Sequence, residues 1–291
     1  MKYGKIDTLR QQYPVALMCR VLDVSESGFH AWNTRPPCER KKENARLEIE
    51  ILAAHQRTRE TYGTKRLCRD LADHGVQITP YRVRALRKKL NLYCKQKRKF
   101  KVTTDSKHHL PFAPNILKRE FAVSAPDKAW VSDITYIPTE EGWLYLAGIK
   151  DLFNGELVGY AMSERMTTDL VIQALFRATD RKLPEKGLIL HSDRGSQYCA
   201  HDYQEILKQF GLVASMSGKG DCWDNAPMES FWGTLKNELV HHQKFKTRLQ
   251  AIEEITEYIE IFYNRQRKQE KLGYLSPAEF KQRYYANLFA A

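Results

Sequence analysis

Three carboxylates in this 291-residue chain sit in local contexts that suit one metal-dependent site. Asp133 lies in a strand-like run, Val131-Ser132-Asp133-Ile134-Thr135-Tyr136-Ile137. Asp193 closes a second run, Leu188-Ile189-Leu190-His191-Ser192-Asp193, which continues into Arg194-Gly195-Ser196-Gln197-Tyr198. Glu229 opens a helix-like stretch, Asn225-Ala226-Pro227-Met228-Glu229-Ser230-Phe231-Trp232, after a gap of 35 residues from Asp193. Phosphoryl transfer needs an attacking oxygen, an in-line leaving oxygen and neutralisation of the charge that builds on phosphorus. Two Mg2+ ions roughly 4 Å apart supply all three. Mg2+ takes oxygen ligands and keeps several waters, so a few carboxylates suffice. Asp133 and Asp193 are expected on neighbouring strands, one of them bridging both ions, with Glu229 on the second ion.

The helix expected from Asn225 to Val240 supports this arrangement. Glu229, Trp232, Gly233 and Lys236 follow i, i+3, i+4, i+7 and share a face, while Phe231, Leu235 and Leu239 turn to the core. Lys236 falls ~10 Å along the axis from Glu229, a suitable place for a cation that holds a DNA backbone. Arg194, next to Asp193, and Asn225, at the start of the Glu229 helix, are further candidate DNA contacts. Each acid also has a plainer explanation. Asp133 could be an exposed strand residue, although Asp is depleted in strands. Asp193 could cap the turn to Gly195, and Glu229 could complement the helix dipole. Asp151, Asp169, Asp202, Asp221 and Asp224 compete for the same role. Asp151 precedes a hairpin turn and Asp169 starts a helix; Asp224 is the nearest rival to Glu229 but suits a place near the helix N-cap.

The composition sets the frame for these residues. Hydrophobic content is 42% and charged content 28%, as in a globular protein rather than a disordered or membrane one. No apolar run approaches the ~20 residues that span a bilayer. The N-terminus lacks a secretory pattern, so a cytoplasmic, nucleoid-associated protein with no membrane partner is expected. The six cysteines form no C-x-x-C pair, and His108-His109 and His241-His242 are adjacent rather than spaced as zinc ligands. The net charge of +12 is uneven: residues 1–120 hold 27 Lys/Arg against 12 Asp/Glu, and residues 121–291 hold 20 against 23. No acid lies between Asp73 and Asp105, whereas Arg82, Arg84, Arg87, Lys88, Lys89, Lys95, Lys97, Arg98, Lys99 and Lys101 all do. Such a block is either a solvated basic tail or a surface that meets a polyanion.

The elements that must position the acids follow from periodicity. Residues 1–38 predict a helix carrying Leu17, Met18, Val21 and Leu22, a turn at Asp23-Val24-Ser25, and a short helix capped by Ser25. That is a helix-turn-helix layout, though any small helical hairpin gives the same pattern. Residues 39–95 predict three more helices: one with Leu47, Ile51 and His55 inward, one over Thr64–His74 stopped by Gly75, and one from Thr79-Pro80 to Leu90. The last, with Val83, Leu86 and Leu90 inward, is the candidate groove helix of a second, basic helix-turn-helix-like unit. Arg82, Arg84, Arg87, Lys88, Lys89, Lys97 and Arg98 are its candidate phosphate contacts. Residues 96–123 read as a basic linker. From residue 124 to 242 the pattern is α/β: strands over Ala129–Ile137, Trp143–Asp151 and Glu156–Ser163 with turns at Glu141-Gly142 and Asn154-Gly155, then helix, strand, helix, strand and the Glu229 helix. The strand ending at His191 suits a sheet centre. Residues 243–291 read as a helical extension.

The order β-β-β-α-β-α-β-α matches a ribonuclease-H-like (integrase) catalytic core, an α/β fold with a mixed five-stranded sheet. The three acids, the 35-residue gap and Lys236 seven positions after Glu229 resemble the DDE signature of retroviral integrases and bacterial transposases. The segments Trp130–Ile137, His191–Tyr198 and Asp224–Phe231 are more specific. With Tyr263-Asn264 and Leu275-Ser276-Pro277-Ala278, they resemble the OrfB transposases of the insertion-sequence-three family, over nearly the whole chain. The resemblance implies metal-dependent strand cleavage at the ends of an insertion sequence, followed by attack of the freed 3′-hydroxyl on another phosphodiester, usually through a circular intermediate. It implies Asp133, Asp193 and Glu229 as catalytic metal ligands for two Mg2+ ions, with Mn2+ able to substitute. The implied partners are double-stranded DNA (terminal inverted repeats and target), an OrfA part fused or separate, and further copies of the chain on DNA. No sustained heptad repeat for a leucine zipper is found, and the zinc-binding His/Cys domain of retroviral integrases is absent. Two rival readings share part of the pattern: a ribonuclease-H-like nuclease, and a DNA-binding regulator of transposition without catalysis of its own.

Overall fold

The computed structural model describes residues 2–95, 111–218 and 221–290, with only the backbone of Cys222. The expected basic contacts Lys97 and Arg98 therefore lie outside the described residues. Five strands form one mixed sheet: β1 (Ala129–Thr139), β2 (Gly142–Asp151), β3 (Leu157–Ser163), β4 (Ile189–Ser192) and β5 (Val213–Met216). Their order is β3-β2-β1-β4-β5. The first three pair antiparallel, and β1 pairs parallel with β4, which pairs parallel with β5. The centre of the sheet is thus β1, carrying Asp133, and not the strand ending at His191.

Alternation along β1 divides the core. Trp130 turns to one face, packed with α7 (Thr168–Lys182) and α9 (His201–Gln209). Ala129 and Val131 turn to the other, packed with α10 (Ala226–Glu238) and α11 (Arg248–Glu257); this is the two-residue period of a strand buried on both sides. The short α8 (Ser196–Cys199) follows β4. At Gly159 on β3 a Cβ would stand 2.5 Å from Ala174 O and 2.7 Å from Ala178 N, so only glycine lets α7 lie this close.

Residues 2–34 form a small unit with its own core of Ile6, Met18, Cys19 and Phe29. It contains α1 (Lys2–Leu9), α2 (Val15–Val21) and α3 (Glu26–Thr34). Ser25 caps α3, accepting from Gly28 N at 2.9 Å. The expected apolar stripe divides: Met18 is buried, whereas Leu17 and Val21 are exposed. Next come α4 (Glu39–Arg57), α5 (Thr64–Asp73) and α6 (Pro80–Lys89), with Thr79 capping α6. These three share a continuous core with the sheet, α10 and the C-terminal residues. Tyr62 binds the C-terminal segment twice, its hydroxyl accepting from Lys268 N at 2.6 Å and donating to Gln266 O at 3.3 Å. The segment continues from α11 through a π-helical turn, Tyr258–Tyr263, to α12 (Pro277–Ala290).

The described part of the expected linker, residues 111–123, is docked on the core. Ile116 N and Leu117 N donate to Ser215 Oγ, and Arg119 Nε donates to Asp224 Oδ1 at 2.6 Å. No helix among the described residues is long and apolar enough to cross a membrane.

Candidate active site

Asp133 stands at the middle of the central strand, opposite Gly148 of β2. Its carboxylate is fixed by two donors: Ile134 N to Oδ1 at 2.8 Å and the Trp232 indole Nε1 to Oδ2 at 3.0 Å. Gly148 makes the second bond possible. A Cβ there would stand 2.8 Å from the Trp232 ring, so the missing side chain is the slot in which the indole lies. Burial pushes the Asp133 carboxyl up to about 8, with the charges of Asp193 and then Glu229 adding to the effect. Asp133 therefore feels both other acids. Asp193 follows the last residue of β4, the parallel neighbour of β1, and its Oδ1 accepts from Gly195 N at 2.9 Å. Glu229 lies in the first turn of α10, and burial raises its pKa.

Among the described residues, no group of three or more His, Cys, Asp or Glu side chains is gathered closely enough to hold a metal ion. The link among the three acids is electrostatic: the charges of Asp193 and Glu229 both bear on Asp133. The raised Asp133 pKa reflects burial first and then the charges of Asp193 and Glu229, all of which a nearby cation would oppose.

Lys236 Nζ stands 4.8 Å from the Tyr136 ring centroid, and burial lowers its pKa, opposed by the charge of Asp133. His191, buried two residues before Asp193, joins Ser215 Oγ at 2.9 Å to Ser217 Oγ at 3.2 Å; burial lowers its pKa to about 4, so it ties β4 to β5 as a neutral ring. Asp224 is structural: it accepts from Gly218 N, Asn115 Nδ2 and Arg119 Nε.

Several expected DNA contacts are engaged inside the protein. Asn225 is buried, and its amide donates to Ser132 O at 3.0 Å, joining the start of α10 to β1; it is not a surface contact. Arg194 Nε donates to Ser217 O at 2.7 Å, with its guanidinium over Phe112. On α6, Arg82 pairs with Glu43 at 2.7 Å and Lys89 with Glu48 at 2.5 Å, both acids of α4. Arg87 is buried against Thr64 and Cys94. Arg84 and Lys88 are the two basic candidates of α6 left exposed and outside any ion pair among the described residues. The residues that sequence reasoning missed are Trp232, read only as part of a shared face, and Gly148. A glycine within an apolar strand was the available signal.

A family model described as "Integrase core domain" matches residues 123–222, and a second with the same description matches 229–284. One described as "HTH-like domain" matches residues 41–100, the region of α4–α6. An uncharacterised 31 kDa protein of insertion element IS600 from Shigella sonnei is 57% identical over 92% of this chain and 98% of its own length. The transposase InsF of insertion sequence IS3A from Escherichia coli (strain K12) is 38% identical over 98% of this chain and 100% of its own. Among solved structures, the HTLV-2 integrase catalytic core domain in complex with magnesium (trimeric form) matches at 16% identity and a TM-score of 0.43. It covers 54% of this chain and 97% of that one, a likeness too remote to add to what the sheet itself shows.

Proposed function

The chain belongs to the insertion-sequence transposases built on an integrase core, and we propose that Asp133, Asp193 and Glu229 are its catalytic metal ligands. It is a polynucleotidyl transferase that acts on DNA, with divalent-metal dependence as the integrase-like core suggests. The observation that carries the residue assignment is the setting of Asp133: a carboxyl held by Trp232 and Ile134 at the sheet centre, where burial and then the charges of Asp193 and Glu229 bear on it. When bound, two Mg2+ ions (or Mn2+) supply the neutralising charge and polarise the phosphodiester.

The chain's own groups do the positioning. The clamp holds one Asp133 rotamer, so the acid needs no reorganisation during reaction. Lys236 offers a cation beside Asp133 to a non-bridging phosphate oxygen. The Asn225 bond to Ser132 O keeps Glu229 in register with the strand acids. Arg84 and Lys88 on α6 meet backbone phosphates of the terminal inverted repeats or target DNA. An OrfA part, fused or separate, completes recognition of the ends, and several copies act together on DNA in the cytoplasm.

The test is strand cleavage and joining of insertion-sequence ends by Asp133→Asn, Asp193→Asn and Glu229→Gln. Each variant is expected to bind DNA normally and to lose both steps. Full strand transfer by any of them would overturn the assignment, and native-like DNA binding by a wild-type chain that never cleaves would favour a regulator.

A further inference from the structure

On the side of α10 away from Asp133 lies a cavity of about 420 Å3, formed where α5, β2, α10 and residues 263–271 meet. Its wall carries four cations: Arg66, Lys150, Arg267 and Lys271. Arg267 pairs with Glu238 at 2.6 Å, and Arg66 stands 3.9 Å from the same carboxylate, so two guanidinium groups share one acid. Glu270 is exposed at the rim and turned to Lys65. Neither Lys150 nor Lys271 is in an ion pair among the described residues. Lys150 is 5% exposed, and its Nζ donates to Pro227 O at 3.0 Å. A buried ammonium without a counter-charge is costly. Gln269 is 7% exposed and lines the same cavity, with its side chain beside Tyr263. The Lys150 and Lys271 ammonium groups, with no acid paired to them among the described residues, call for an acceptor. Ala226 and Pro227 bring the N-terminal end of a 13-residue helix to the same wall, which favours negative charge.

We propose that this cavity is a phosphate-binding site: Lys150, Lys271 and Arg66 take the oxygens of one phosphate group. That group is either a backbone phosphodiester of DNA or a free phosphate. The DNA source rests on DNA being the substrate; the site itself does not. The position gives the site a use. Lys150 is tied to α10 two residues before Glu229, so a phosphate here registers DNA against the helix that carries the third acid.

Two arms test it, on the full chain, comparing wild type with Lys150→Met and with Lys271→Gln; the latter lies at the exposed mouth and keeps the comparison usable if the buried change misfolds. In the first arm, Tm is measured in sodium phosphate against sodium chloride at equal ionic strength. Phosphate stabilises proteins generally by exclusion from their surface, so the readout is the difference between chains. Wild type is expected to gain about 3 °C more than either variant. In the second arm, the slope of log Kd for DNA against log salt is measured, and each lost phosphate contact lowers it by about 0.9. A lowered slope in the variants assigns a DNA phosphodiester. An unchanged slope with the Tm difference intact assigns free phosphate. Equal Tm gains together with an unchanged slope would overturn the site. Failure of the triad reading would show in cleavage by the acid variants and leave both of these readouts as they are.

Discussion

The two flanks of α10 carry opposite charge. Toward β1, Trp232 bonds Asp133 and Lys236 feels its charge, with Glu229 on the same helix and Asp193 just past the end of β4. Toward the C-terminal segment, Pro227, Phe231 and Thr234 face a wall of cations. On each flank burial acts on a charged group first and a like charge second: the Asp133 carboxyl is raised to about 8, with Asp193 adding, and the Lys150 ammonium is lowered to about 8, with Arg267 adding. A folded chain keeps such clusters when a ligand of opposite sign completes them. The acid flank suits divalent cations and the basic flank suits phosphate, and one rigid helix keeps the two in register.

Neutralising an acid should separate the flanks most sharply. Asp133→Asn should cut strand cleavage by at least on the order of 10²–10³-fold, while the phosphate-dependent gain in Tm stays as in wild type. A loss of that gain would mean that the flanks are one site. Trp232→Phe keeps an aromatic ring but removes the indole donor together with part of the buried ring volume. Oriented ligands lose about 10–100-fold in metal affinity or activity when such a partner is removed. The expected result is weaker Mn2+ binding by titration with a Tm within a few degrees of wild type. Gly148→Ala should give the same weakening through the displaced indole; unchanged Mn2+ affinity in both variants would show that the clamp does not position Asp133.

Lys150→Met tests the other flank through pH. The folded pKa of Lys150 lies near 8, below its unfolded value of 10.5. The buried charge therefore destabilises the wild type fully below pH 8, and the penalty fades as pH rises from 8 to 10.5. The shift corresponds to at most ~3 kcal/mol, and loss of the bond to Pro227 O offsets part of it. At pH 7 in chloride the variant should be about 1 kcal/mol more stable in denaturant unfolding, and the gap should close by about pH 10. A gap that widens with pH would contradict the charged, unpartnered lysine. The smallest effects belong to α6. Arg84→Gln and Lys88→Gln should each reduce the salt slope of DNA binding by about 0.9 without changing Tm. Arg82→Gln, which breaks the contact to Glu43 and Asn44, should lower Tm slightly and leave the salt slope as in wild type.

Local rules were legible where the cause is local. The three antiparallel strands, the turn at Asn154-Gly155, the caps Ser25 and Thr79 and the stop at Gly75 all follow from neighbouring residues. The docked segment 111–123 was read as linker, because its partners Ser215 and Asp224 lie about a hundred residues away. The basic face of α6 was read as free, because its acids sit on α4 at positions 43 and 48. Asn225 was read as a surface contact, because nothing in its own helix shows that Ser132 O takes its amide.

By its own residue types and spacings, then, the sequence determined the order of elements, the two acids at strand positions and the acid at a helix start. It also placed Lys236 two turns beyond Glu229, because periods of 2 and 3.6 and side-chain caps act over a few residues. Only the tertiary structure decided which strand is central, that an indole reaches Asp133 through the gap left by Gly148, and that cations at 66, 150, 267 and 271 share one cavity. Those facts depend on contacts between residues far apart in the chain, where burial and charge, and not local propensity, determine what each side chain can do.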